Sequence, residues 1–240
     1  MWKLFFETCD FLARLIPMRH LREHVRRNRL HDYRRKYNAL RAAFPHLDFR
    51  HVIMIKGGWN IGFIVDHKYV FKIRKNFDKD TRMARIIREK RITDAFADIS
   101  PLKIPHIEIV EAAPYTFYKY DFIPGRNMNT FSRRTIERNA WKWGKQIATF
   151  IDAVHHGNPA GIDDLKTGDG DGWNHNDICN NVIINPKTMD VVGMVDWEYA
   201  GWGTIETEIR NTTRFSKKIR DAGLGVAIEL NYIALQKNKK

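Results

Sequence analysis

Apolar positions in the first 16 residues recur at helical spacing, with Trp2, Phe5, Phe6, Cys9, Leu12 and Ile16 on one side and Lys3, Glu7, Asp10 and Arg14 on the other. The pattern predicts an amphipathic helix ending near Pro17. A second helical stretch over 19–41 is dense in Arg and Lys, with Leu21, Val25, Tyr33, Tyr37 and Leu40 as apolar contacts and Pro45 beyond its end. From His51 the period shortens to β-type runs over 52–55, 63–65 and 69–73, the last two joined by the turn Asp66-His67-Lys68. A helix is predicted over 80–97, strands over 107–110 and 115–122, and a break at Pro124-Gly125. The second half predicts a long helix over 133–154, a polar stretch over 168–176, and apolar strands over 182–184 and 191–195. Strands with one helix, followed by helices with a small hairpin, predict a β-rich lobe leading into a helical lobe.

Composition narrows the class without naming it. At 240 residues, 43% of them hydrophobic, the chain is long enough to bury a core as one domain or two small lobes. Two cysteines, Cys9 and Cys179, make neither a disulfide framework nor a zinc site, so a reducing compartment is expected. The chain has no apolar run of bilayer length, and the first 16 residues lack the features of a signal peptide. The net charge of +13 is concentrated: residues 1–41 hold 11 Lys/Arg against 4 Asp/Glu, and residues 68–91 hold 10 against 3. Such a balance suits nucleic acid, an anionic membrane or phosphorylated substrates. No nucleic-acid reader motif is present, so nucleic acid is not expected. The first two helices have the composition of an in-plane membrane foot; the alternative is that their apolar faces pack on the body of the protein.

The densest chemistry lies in His175-Asn176-Asp177-Ile178-Cys179-Asn180-Asn181, which runs into the strand 182–184 and, after the next strand, into Asp196-Trp197-Glu198. An Asp on a loop, an Asn a few residues on and a second Asp after the following strand can surround a nucleotide-bound magnesium while the first Asp faces a hydroxyl. Upstream, Gly57-Gly58-Trp59-Asn60 sits between two strands, where glycines let backbone N–H groups approach phosphates. Lys72 interrupts an apolar strand, and Glu89 lies seventeen residues on in the following helix. Asp169-Gly170-Asp171-Gly172 reads as a turn rather than a calcium loop, and His155-His156 as a helix C-terminal pair.

In this order the residues resemble the aminoglycoside phosphotransferase and choline kinase-like family of the protein-kinase-like fold. The matching positions are Gly57-Gly58-Trp59-Asn60, Arg88-Glu89, Phe122-Ile123-Pro124-Gly125, His175-x-Asp177 and Asp196-Trp197-Glu198-Tyr199-Ala200-Gly201-Trp202-Gly203. The resemblance implies an α+β, two-lobed kinase-like fold with a basic helical extension over 1–50, an N-lobe with the phosphate loop over 51–125 and a C-lobe over 126–240. It implies ATP and Mg2+ as cofactors, with Gly57, Gly58, Asn60, Lys72 and Glu89 on the nucleotide and Glu89 pairing Lys72. Asp177 is then the catalytic base, with His175 as the second catalytic residue, and Asp196 the main metal ligand. The family places its second metal ligand, an Asn, five residues after the catalytic Asp, where this chain has Val182. Asn181, which precedes the strand as the family Asn does, takes the role, with Asn180 as the alternative.

The stretch Leu15-Ile16-Pro17-Met18-Arg19-His20-Leu21-Arg22 is similar to the openings of bacterial enzymes that build lipopolysaccharide and capsule. The expectation is a kinase phosphorylating a hydroxyl of a small-molecule or glycan acceptor, a cell-envelope sugar of lipopolysaccharide type. It would be cytoplasmic and peripheral at the inner face of an anionic membrane. The alternatives are an aminoglycoside kinase and a catalytically silent kinase-like binding module.

Overall fold

The computed structural model describes residues 2–18, 31–56, 60–74, 79–214 and 216–239. The chain forms two compact units, one of residues 1–77 and 109–119, the other of residues 78–108 and 120–240. The fold is the expected combination of a β-rich unit and a largely helical one.

In the first unit, α1 (Trp2–Arg14) and α2 (His31–Ala43) precede β1 (Val52–Lys56), β2 (Asn60–Val65) and β3 (Tyr69–Arg74). With β4 (Glu108–Ala112) and β5 (Tyr115–Asp121) these strands form a sheet of order β1-β2-β3-β5-β4. The β2–β3 turn, Asp66-His67-Lys68, is tight because Asp66 and His67 both adopt left-handed backbone, at φ 53°, and the Lys68 N–H donates to Val65 O at 3.0 Å. Asp66 Oδ1 accepts from the His51 N–H at 2.8 Å, tying β1 to the turn. Alternation sends Ile61, Phe63 and Val65 of β2, Phe71 and Ile73 of β3, and Phe117 of β5 into one buried layer. Tyr37, Leu40 and Phe44 close that layer, so α2 packs its apolar face on the sheet. Lys36, within the basic stretch 19–41, is fully buried and pairs with Asp32 one turn earlier at 2.8 Å. Residues 19–30, the first half of the predicted basic helix, lie outside the described residues.

The second unit begins with α3 (Lys79–Phe96) and continues through β6 (Arg126–Asn127) to α4 (Arg133–His155), whose start is capped by Ser132 Oγ accepting from Thr135 N–H. Then come β7 (Gly172–Asn174), β8 (Val182–Ile184), β9 (Val191–Met194), β10 (Gly201–Gly203), α5 (Ile205–Thr212), α6 (Lys217–Asp221) and α7 (Leu224–Lys237). Strands β8 and β9 are an antiparallel hairpin with β6 alongside; β7 pairs with β10. The core gathers Phe96, Trp143, Ile147, Phe150, Trp173, Trp197 and Ile228. Among the described residues, no helix is long and apolar enough to cross a membrane.

Candidate active site

The β8–β9 hairpin brings the two halves of the candidate site together. Val182 pairs with Met194, so Asn181, just before β8, lies opposite Val195, just after β9, and the Val195 N–H donates to Asn181 O at 3.0 Å. Asp196 is therefore one residue from the His175–Asn181 loop. Its backbone turns through left-handed φ 64°, and Asn176 does the same at φ 65°. Asn176 Nδ2 donates to Tyr199 O at 3.0 Å, a second tie between the loops.

Within the loop, Asp177 is clamped by its neighbours. Asn180 Nδ2 donates to Asp177 Oδ1 at 2.9 Å, and Asn181 Nδ2 donates to Asp177 Oδ2 at 3.0 Å and to its backbone O at 2.8 Å. Burial pushes the Asp177 carboxyl above its ordinary value, the two amides oppose the rise, and the Asp196 and Glu198 carboxylates add to it. Asn180 is engaged at both ends of its amide, since its Oδ1 accepts from Asn129 Nδ2 at 2.9 Å. The Asn181 nitrogen is committed to Asp177, which leaves the amide oxygen as its acceptor for another group.

His175 is 1% exposed, and its ring is held by the backbone. Nε2 faces Val195 O at 3.2 Å, which fixes the proton on that nitrogen, and Nδ1 accepts from the Asp177 N–H at 3.3 Å. Trp197 packs edge-on against the ring at 5.0 Å between centroids. Trp197 is itself fully buried, stacked on Phe96 and edge-on to Phe150. Its backbone N–H donates to Glu89 Oε1 at 3.1 Å. Glu89, 1% exposed, thus anchors the turn that carries Asp196, a contact the sequence reading did not foresee.

Several supporting residues escaped that reading. Glu208 on α5 is 2% exposed, and its Oε2 accepts from the Asn176 N–H at 2.8 Å. Burial pushes its carboxyl up to about 7, against the pull of the Asn176 and His175 backbone N–H groups, and the Asp177 charge adds to the rise. The signal was present: Glu208 shares the inner face of α5 with Ile205, Ile209 and Thr212. His155, read as a helix-end residue, bonds Asn174 Oδ1 through Nδ1 at 3.0 Å and Asp171 Oδ1 through Nε2 at 3.2 Å. Asn174 also donates to Thr204 O at 2.8 Å, so the residue before His175 is fixed on two sides. Gly172 is required there, because a Cβ would come within 2.5 Å of the His155 ring.

The remaining predicted residues belong to the first unit. Lys72 on β3 lies opposite Gly62 of β2, with its ammonium 5.4 Å from the Tyr118 ring centroid. Asn60, 7% exposed, donates through Nδ2 to Tyr118 OH at 3.1 Å, and its buried Oδ1 has no hydrogen-bond partner among the described residues. Gly57 and Gly58 lie outside the described residues.

Solved structures of aminoglycoside and macrolide phosphotransferases share this fold. An aminoglycoside phosphotransferase APH(3'')-Id from Streptomyces rimosus superposes with a TM-score of 0.61 at 13% identity, over 84% of this chain and 92% of that one. The ADP-bound aminoglycoside phosphotransferase APH(2'')-Ib gives 0.57 at 12% identity, over 81% and 85%. A type I macrolide 2'-phosphotransferase gives 0.55 at 13% identity, over 83% and 82%. No family model and no curated protein matches the sequence. At these identities the likeness establishes the fold.

Proposed function

We propose that this protein is an ATP- and Mg2+-dependent phosphotransferase that moves the γ-phosphoryl group to a hydroxyl of a small-molecule or glycan acceptor. The observation that carries the reading is the carboxylate Asp177, oriented by two amides and set beside Asp196 at the ends of one hairpin. Its donors fit magnesium, which prefers a few hard oxygens and completes its shell with phosphate and water. Two further carboxylates act on Asp177, and Asn181 keeps an amide oxygen for a cation. Asp196 and Asn181 are assigned to the metal, and Asn180, engaged at both ends, is not. When bound, magnesium would neutralise charge developing on the transferred phosphoryl group.

The chain's own residues do the rest. Asp177 orients the acceptor hydroxyl and takes its proton. His175 is a positioning residue, since both of its nitrogens hold backbone. Lys72 and Glu89 keep the roles that the family pattern gives them, as do Gly57, Gly58 and Asn60. For the acceptor, the net charge of +13 favours an anionic cell-envelope sugar of lipopolysaccharide type, because a cationic aminoglycoside would meet a repulsive field. The similarity of residues 15–22 to envelope-building enzymes supports the same choice and a position at the cytoplasmic face of the membrane. The folds of the neighbours favour the second reading, an aminoglycoside-type acceptor.

Thermal denaturation with ATP tests the cofactor assignment. ATP with magnesium should raise the melting temperature of the wild type more than ATP alone. Asp196→Ala should lose the magnesium-dependent part while melting normally without ligand; Asn181→Ala should lose more of it than Asn180→Ala. A wild type that ignores ATP under both conditions would remove the proposal.

A further inference from the structure

α7 is apolar on almost every side, yet only part of it is covered. Leu224, Ala227, Ile228 and Tyr232 are buried, while Val226, Leu230 and Ile233 are 62%, 50% and 43% exposed at helical spacing. A helix apolar all round belongs in an interior, and exposed apolar surface of this kind marks an interaction site. α7 runs against α4 with the backbones close: a Cβ on Gly144 would come 2.8 Å from Ala227 Cβ. One turn before Gly144, on the outward side of α4, Trp141 is 61% exposed. Trp141 and Leu230 therefore flank the open side of the same helix pair.

The charge around this apolar stripe selects the partner. The exposed charged residues of α4 and α7 are basic at Arg133, Arg134, Arg138, Lys142, Lys145 and Lys237, and acidic at Glu137 and Glu229. Arg133 is offset by Glu137 and Asp221, and Lys142 by Asp190. Arg134, Arg138 and Lys145, which line the face with Trp141, make no ion pair with a described residue. A second copy docked face to face would set these cations against their own images, so charge complementarity calls for an anionic surface. An exposed Trp among Arg and Lys, beside a stripe of branched aliphatics, has the make-up of a helix face lying in the headgroup layer of a bilayer. We propose that the α4–α7 face docks on an anionic lipid surface, with Trp141, Val226, Leu230 and Ile233 entering the interface and Arg134, Arg138 and Lys145 on the headgroups. This surface uses none of the residues of the predicted N-terminal foot or of the site around Asp177, and its occupancy does not depend on catalysis.

Sedimentation of the full chain with phosphatidylcholine vesicles, with and without an equal part of phosphatidylglycerol, tests the assignment. The wild type should bind only the anionic vesicles and be released by salt. Trp141→Ser with Leu230→Ser should weaken binding about tenfold, and Arg134→Gln with Arg138→Gln about fivefold for each cation removed. All four positions are exposed, and circular dichroism should confirm unchanged folding. Removal of residues 2–18 should leave the sensitivity to these substitutions in place. The proposal is wrong if the wild type ignores anionic vesicles, or if neither pair of substitutions changes binding. Loss with the charge substitutions but not the apolar ones would mark electrostatic adsorption without entry of Trp141 and Leu230 into the interface, and would also overturn it. So would a wild-type dimer in gel filtration that Trp141→Ser with Leu230→Ser converts to monomer.

Discussion

A carboxyl shut away from water, Glu208, holds the loop on which Asp177 sits. Its value of about 7 stands well above the ordinary 4.5, because burial favours the neutral form. As pH rises through this window the unfolded chain gives up the proton first while the folded state retains it, so the folded state loses stability, by up to roughly 3 kcal/mol. Glu208→Gln keeps an oxygen for the Asn176 N–H and has no proton to lose. Relative to wild type, its melting temperature should therefore gain between about pH 5 and pH 8; a constant difference over that range would contradict the assignment. At this scale the sequence shows which residues come together where chemistry clusters in a short segment, as at Asp177, Asn181 and Asp196, which the hairpin sets side by side. It was opaque where one buried group supports another across the fold. A single Glu on a helix reads as solvated, and Glu89 and Glu208 show their roles only through the backbone N–H groups of Trp197 and Asn176.

The elements themselves were readable wherever a period could develop. The predicted helices over 80–97 and 133–154 match α3 and α4 within a residue, and the predicted strand 182–184 coincides with β8. The two- and three-residue strands β6, β7 and β10 were missed, because so short a run shows no alternation. Their pairing depends on close approach: a Cβ on Gly203 would come 2.7 Å from the Asn174 side chain. The question left open for the N-terminal helices is answered for α2, whose Tyr37 and Leu40 belong to the buried layer over the sheet. Leu40 is 0% exposed, and Leu40→Ala should cost about 2–5 kcal/mol in urea denaturation. An unchanged midpoint would mean that α2 is a detachable foot. For the same reason, deletion of residues 1–41 removes part of the core, whereas α1 leaves Phe11, Leu12, Leu15 and Met18 between 55% and 65% exposed at and beyond its end.

For the molecule as a whole, the proposed reaction is that a strongly basic chain with this fold moves phosphoryl groups by means of Asp177 and a magnesium held at Asp196 and Asn181. The fold follows from the pattern of strands and helices, whereas the proposed acceptor rests on net charge and on the similarity of residues 15–22 to envelope-building enzymes. Magnesium-dependent conversion of ATP to ADP, followed by phosphorus NMR in wild type and in Asp177→Asn, tests that claim most directly. The variant should lose about 10²- to 10⁴-fold in rate while keeping the ATP-induced thermal shift of the wild type. Turnover in Asp177→Asn at the wild-type rate, or a wild type that binds ATP but forms no ADP with any hydroxyl acceptor, would contradict it.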